Sequence, residues 1–241
     1  MHIFGSFKIT NDFFKFEDKE YDLPFLNGDP RFTTKNVIIL LIGFLIAAAA
    51  PFIIHPTGNQ SLKALIITLA PLLTVVYVFK DDMSNIIRKP RLKDILIVII
   101  GFMLMLVLDI ITGILISVLG LPVLTDSSVN GSMFSMAIRL LVQLFGEELI
   151  KFIPLVISAA FLYKYIGRKA AIVGAVIISQ ILFSFIHIPA YGFSILFLLI
   201  AIGLNSIVLP LVYVKTKNLV LCYFIHLLYD LWSIIPYFMA T

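Results

Sequence analysis

Long apolar runs, each about 18 residues or more and nearly free of charge, alternate along the chain with short charged stretches. A helix rises about 1.5 Å per residue, so runs of that length reach across the roughly 30 Å hydrocarbon core of a bilayer. Seven runs fit: Val37 to Ile54, Ala64 to Phe79, Ile95 to Leu119, Met133 to Tyr163, Ala170 to Ile188, Phe193 to Val214 and Leu219 to Phe238. The pattern predicts an all-α fold, a polytopic membrane bundle of about seven transmembrane helices. The second run is short. The fourth is long, and Pro154 inside it is expected to kink or break it. The chain then divides into an N-terminal segment over 1–35, cytoplasmic or on the membrane surface, and one membrane domain over 36–241. Within that domain 36–132 holds the first three helices and 133–241 the last four.

Composition narrows the function classes. Of 241 residues, 61% are hydrophobic and 13% charged, about half the charge of a soluble domain. Soluble globular, disordered, coiled-coil and nucleic-acid-binding classes drop out, which leaves the lipid bilayer as the first partner. Cys222 is the single cysteine, so an intrachain disulfide and a cysteine metal cluster are both excluded.

The net charge of +4 reads as topology, because Lys and Arg concentrate in cytoplasmic loops. Lys8, Lys15, Lys19, Arg31 and Lys35 precede the first run. Lys80, Arg88, Lys89, Arg91 and Lys93 lie between the second and third. Lys164, Arg168 and Lys169 follow the fourth and Lys215 and Lys217 the sixth, whereas the alternate loops offer only Lys63. The N-terminus is expected in the cytoplasm and the C-terminus outside. The first 35 residues mix charge with Phe4, Phe7, Phe13, Phe14, Phe16, Phe25 and Phe32, which fits a segment on the membrane surface as well as a partly ordered tail. Asn130-Gly-Ser132 matches a glycosylation acceptor, a triplet that chance supplies often. The chain shows no internal repeat that would favour an inverted-repeat transporter.

The informative residues are those that lipid should exclude. Glu147, Glu148 and Lys151 sit inside the fourth run, where each charge costs roughly 2.5–3.5 kcal/mol at a helix centre unless it faces protein or water. At about 100° per residue Glu147 and Glu148 point in different directions, with Lys151 between them. One carboxylate can pair with the ammonium while the other looks into the bundle, where it needs a proton, another cation or a catalytic task. Arg139, nearer the outer end, is expected to snorkel to the headgroups. The fifth run carries Phe183-Ser-Phe-Ile-His187 and the seventh His226-Leu-Leu-Tyr-Asp230. The i to i+4 spacing of the latter puts imidazole and carboxylate on one face, so that Asp230 can orient His226. Asp109 in the third run stands outside any motif and is expected to serve packing or hydrogen bonding.

Glu147-Glu148, then Phe183-xxx-His187, then His226-xxx-Asp230 resembles the CAAX protease and bacteriocin-processing (CPBP, or Abi) family of intramembrane endopeptidases. The likeness covers about Phe134 to Ile235. The family's first motif is Glu-Glu-xxx-Arg; here position 152 is Phe and the base stands one residue earlier as Lys151. The resulting Glu-Glu-xx-Lys is similar to membrane proteases that cleave anti-sigma factors. The third motif ends in Asn in many members and in Asp230 here.

The resemblance implies hydrolysis of a peptide bond in a peptide or membrane-anchored protein substrate, in a bacterial plasma membrane. In that reading Glu147 is the base on a water shared with His187, and His226 with Asp230 faces the tetrahedral intermediate. Glu148, Lys151 and Phe183 support them. A second version places zinc on Glu147, His187 and His226, a carboxylate and two imidazoles with an open fourth position. Two other function classes use the same residues: a non-proteolytic bacteriocin-immunity or peptide-binding membrane protein, and a proton-coupled transporter. One conflict needs resolving. Counted by helix rise from the cytoplasmic ends, Glu147 and His187 lie about 24–26 Å up but His226 only ~10 Å.

Overall fold

The computed structural model describes residues 12–26, 28, 30–54, 58–124, 126 and 132–239; Phe4, Phe7 and most of the Asn130-Gly-Ser132 triplet lie outside them. All seven apolar runs fold as helix. They give α1 (Thr34–Ile53), α2 (Gln60–Phe79), α3 (Leu92–Val118), α4 (Met133–Ile166) and α5 (Arg168–Ile186), then the single-turn α6 (Ile188–Tyr191) and α7 (Ile195–Leu198), and α8 (Val208–Thr216) and α9 (Leu219–Met239). From α7 the chain continues through a π turn at Leu199–Leu204 and a 3-10 turn at Asn205–Ile207 into α8. Side-chain caps start three of the helices: Thr33 accepts from the Asn36 N–H, Asn59 from Leu62 and Ser132 from Ser135, satisfying amides that have no partner within the helix.

Among the described residues, five segments are long and apolar enough to cross a membrane: Thr34–Ile53, Gln60–Phe79, Leu92–Val118, Arg168–Ile186 and Ile195–Thr216. Leu219–Ile235 is a shorter apolar helix, and α4 carries the acidic and basic cluster. The chain is an integral membrane protein. Leu45, Leu96, Ile99 and Ile110 are among many large apolar side chains left exposed, as lipid contact requires.

α4 is the central helix, packed on α5, α2 and α9. Pro154 does not break it, and it runs unbroken for 34 residues. The Ser179 hydroxyl of α5 donates to the Lys151 carbonyl at 2.7 Å, one residue from the carbonyl whose helical donor the proline removes. α2 meets α4 at Gly146, where a Cβ would lie 2.6 Å from the Ile67 carbonyl oxygen. Only glycine allows that approach.

Residues 12–26 fold against the α8–α9 turn. Glu17 accepts from Arg168 at 2.7 Å on both oxygens and pairs with Lys217 at 2.5 Å. Arg168 also holds Asp22 at 2.6 Å, and the Phe13 ring lies under the Arg168 guanidinium, 4.0 Å away. The turn is tied from its other side, since the Leu219 N–H donates to the Ile86 carbonyl at 2.9 Å and Arg88 donates to Thr216. Thr216, Lys217 and Asn218 are buried, so α9 starts well inside the bundle. That resolves the depth conflict. Counted instead from their opposite ends, Met133 to Glu147 and Met239 to His226 span about 21 and 20 Å.

Candidate active site

Glu147, His187, His226 and Asp230 line one cavity of about 480 Å³. The cavity exists because α5 stops early. From their junction at Gly167 α5 runs for 19 residues and α4 for 34, so α4 continues well beyond the end of α5. Pro189, within the first turn of α6, has no N–H to extend the α5 ladder. Gly192, at φ 77°, then turns the chain back toward α7, a left-handed conformation open to glycine.

The two glutamates separate as helix geometry requires. Glu148 Oε1 stands 2.5 Å from Lys151 Nζ and accepts from His226 Nδ1 at 2.8 Å. Glu147 points to the cavity, where its Oε1 accepts from Gln143 Nε2 at 2.8 Å and its Oε2 lies 4.0 Å from His226 Nε2. Asp230 Oδ1 is 3.7 Å from the same Nε2. His226 is therefore gripped at Nδ1 by Glu148, while Asp230 flanks the nitrogen that faces the cavity. Among these groups Glu148, Lys151 and His226 are nearly withdrawn from solvent, which strengthens each charge-assisted contact.

Phe183 organises the second imidazole. Its backbone carbonyl accepts from His187 Nδ1 at 2.9 Å, which leaves the Nε2 lone pair of a neutral ring available. Its ring centroid is 4.7 Å from that of His187 and 4.4 Å from Lys151 Nζ, a cation–π contact that holds the ammonium against the cluster. The base displaced from position 152 to Lys151 thus reaches Glu148 one turn away. Phe152 turns instead into the core between Phe79 and Tyr213.

Several cavity residues carry no motif. Asp109 Oδ1 accepts from the Tyr229 hydroxyl at 2.9 Å, and Asn205 Nδ2 donates to that hydroxyl at 2.6 Å. All three line the cavity, as do Gln143, Lys63, Asp126 and Arg139. Arg139 lies nearest the outer end of α4 among them. The i, i+4, i+8 spacing of Arg139, Gln143 and Glu147 was the available signal, a polar stripe along one face of an otherwise apolar helix. Asn205 and Tyr229 gave none, because a single amide or phenol in a membrane helix has no distinguishing pattern. Among the described residues, no group of three or more His, Cys, Asp or Glu side chains is arranged to hold a metal ion.

A bundle of apolar helices enclosing carboxylates and imidazoles in a cavity defines a polytopic membrane protein with a polar pocket. Residues 129–232 match the family of Rce1-like type II CAAX prenyl endopeptidases, and the chain carries an Rce1-like domain over that range. The domain contains every motif residue named above. No curated protein and no solved structure matches the chain. The match spans 104 of the 241 residues, and over that stretch the chain is similar to endopeptidases.

Proposed function

We propose that the chain is a seven-span intramembrane endopeptidase in which Glu147 and His187 activate a water and His226 stabilises the oxyanion. The carrying observation is the division of labour between adjacent acids: Glu148 is bonded to Lys151 and His226, and Glu147 is left facing the cavity beside His226 Nε2. Glu147 takes a proton from the water while the Nε2 lone pair of His187 accepts its second hydrogen. The hydroxide adds to the scissile carbonyl. His226, an imidazolium between Glu148 on one side and Glu147 and Asp230 on the other, donates Nε2–H to the developing oxyanion. An ionised Asp230 only accepts hydrogen bonds, so its part is to favour the charge on His226. Glu147 then delivers its proton to the leaving nitrogen, and water has been added across the C–N bond.

The mechanism without metal is preferred to zinc on Glu147, His187 and His226, because among the described residues no such trio converges on a common point. The first probe is the substrate type named for the family, a prenylated CAAX peptide, followed by single-span peptides in proteoliposomes with products read by mass spectrometry. Cleavage by the wild-type chain that vanishes in Glu147→Gln, with peptide binding retained, supports the proposal. A cellular phenotype that survives Glu147→Gln combined with His187→Ala overturns it in favour of a binding or immunity protein. Solute flux across the same proteoliposomes would favour a transporter.

A further inference from the structure

The geometry points to a site that opens to the face of the membrane opposite the N-terminal segment, so that its substrate is a peptide segment presented on the extracytoplasmic side. The word substrate rests on the peptidase reading above; the side of access rests on the fold and the charge distribution alone.

The first support is where the cavity wall comes from. Its deepest members, Met105, Ile150, Phe183, Ser206 and His226, lie near the middle of the bundle, and the rest lie toward one end only, among them Pro51, Lys63, Asp126, Met136, Arg139 and Tyr191. These belong to the C-terminal end of α1, the N-terminal ends of α2 and α4, the α3–α4 connection and α6. The second support is the state of the other end. There the described residues 12–26, the 86–91 stretch, the α4–α5 junction and the α8–α9 turn interlock through Glu17, Arg168, Lys217, Arg88 and Asn218. Leu23, Phe25, Arg168 and Lys217 are all buried there. A water path from the catalytic groups to that end would have to cross this closed layer.

The third support fixes which end is which. The interlocked end carries Lys15, Lys19, Arg31, Lys35, Lys80, Arg88, Lys89, Arg91, Lys93, Lys164, Arg168, Lys169, Lys215 and Lys217. The open end carries Lys63 and Arg139, with Asp126 facing both. Such asymmetry places the sealed end in the cytoplasm. The open lip is charged and therefore wet, and Arg139, Gln143 and Glu147 lead inward from it along one face of α4. Eight residues of helix separate the first from the last, about 12 Å, which an extended chain covers in three to four residues. The scissile bond accordingly lies about that far beyond the point where an extended peptide enters from outside. A terminus or loop held at the cytoplasmic surface has no route to Glu147.

Single-cysteine labelling tests access without needing a substrate. The buried native Cys222 is retained as background, and full-length Arg139→Cys, Gln143→Cys, Lys89→Cys and Lys169→Cys are expressed in bacterial cells and treated with a membrane-impermeant charged maleimide. The expectation is that the cysteines at 139 and 143 label equally in intact and permeabilised cells, and those at 89 and 169 only after permeabilisation. The reverse pattern overturns the inference, as does labelling of both pairs in intact cells. Cysteines at 139 and 143 that stay unlabelled after permeabilisation show a cavity closed to water and overturn it too. A chain that labels as expected but cleaves nothing retains this access route and loses the peptidase assignment instead.

Discussion

His226 on α9 and Glu148 on α4 meet through a 2.8 Å hydrogen bond between Nδ1 and Oε1, although 78 residues separate them in sequence. The bond fixes the imidazole plane, decides which nitrogen faces the cavity, and ties the last helix to the central one. Lys151, 3.4 Å from the same Nδ1, completes a buried group whose members cannot be removed singly without leaving a charge uncompensated.

Glu147→Gln and Glu148→Gln should therefore differ. The first is expected to lower cleavage by about 10²–10⁴, the worth of a general base, with thermal stability unchanged because Gln143 can still bond to the amide. The second is expected to lose activity and also to destabilise the fold by about 3–5 kcal/mol, since Lys151 stays buried without its partner. Melting of detergent-solubilised variants beside their activities separates the two.

Gly146→Ala should weaken the contact between α2 and α4. The new Cβ would stand 2.6 Å from the Ile67 carbonyl and 2.7 Å from the Thr68 Cα, both backbone, so the helices must separate at a cost of about 1–3 kcal/mol. Gly113→Ala, with open space at its Cβ position, is the control expected to leave the melting temperature unchanged.

Acid should loosen the N-terminal segment. Burial pushes the Glu17 carboxyl up, but hydrogen bonds from Arg168 and Lys217 outweigh it and hold it below its ordinary 4.5. Between the two values the undocked segment binds more protons than the docked one, so docking strengthens as pH rises through that window. The contribution is complete above the ordinary value and is lost as pH falls through the lowered one. Limited proteolysis of residues 12–26 should accelerate in the wild type as the pH falls from the ordinary 4.5 through the lowered value. In Glu17→Gln it should be fast at every pH, because Lys217 is then buried without its carboxylate and Arg168 keeps only Asp22.

Cleavage should be insensitive to chelators. Activity unchanged after 1,10-phenanthroline and dialysis, with substoichiometric zinc by elemental analysis, is the expected result. Loss of activity restored by zinc, together with one equivalent bound in the wild type and none in His187→Ala, would reinstate the metal version.

Asn205→Leu should uncouple α9 from the π-turn segment by removing the bond to Tyr229 and the contact with Asp109. Tyr229 keeps its bond to Asp109, so the cost is that of one hydrogen bond, about 0.5–1.5 kcal/mol, and it should be smaller in a Tyr229→Phe background, where the bond is already absent. A double-mutant cycle of melting free energies measures the difference.

The helices were legible because a membrane span advertises itself through length and apolar content alone. The cluster of Glu147, Glu148, Lys151, His187, His226 and Asp230 was legible for the converse reason, since charges in such runs are costly enough to need a purpose. What the sequence concealed was relative height. Helix rise measures distance along one element but says nothing about how far a neighbouring element is offset, and the α8–α9 turn is raised by contacts from Glu17 and Ile86, both remote in sequence. Arg139 lies toward the outer end of α4, and that it also lines the cavity depends on where α5 stops, which no local pattern reveals. The Asp109, Asn205 and Tyr229 contacts arise from three helices and leave no local trace.

Glu17 precedes Arg168 by 151 residues and Lys217 by 200. At about 5–20 residues per second, the ribosome makes this carboxylate roughly 10–40 s before its second partner emerges. During that interval Arg168 emerges and can pair with Glu17 and Asp22, already made, whereas the place of Lys217 in the cluster stays empty. The last contact of this cluster therefore waits for the α8–α9 turn, and the stretch 12–26 is fully tied down only once that turn has been delivered.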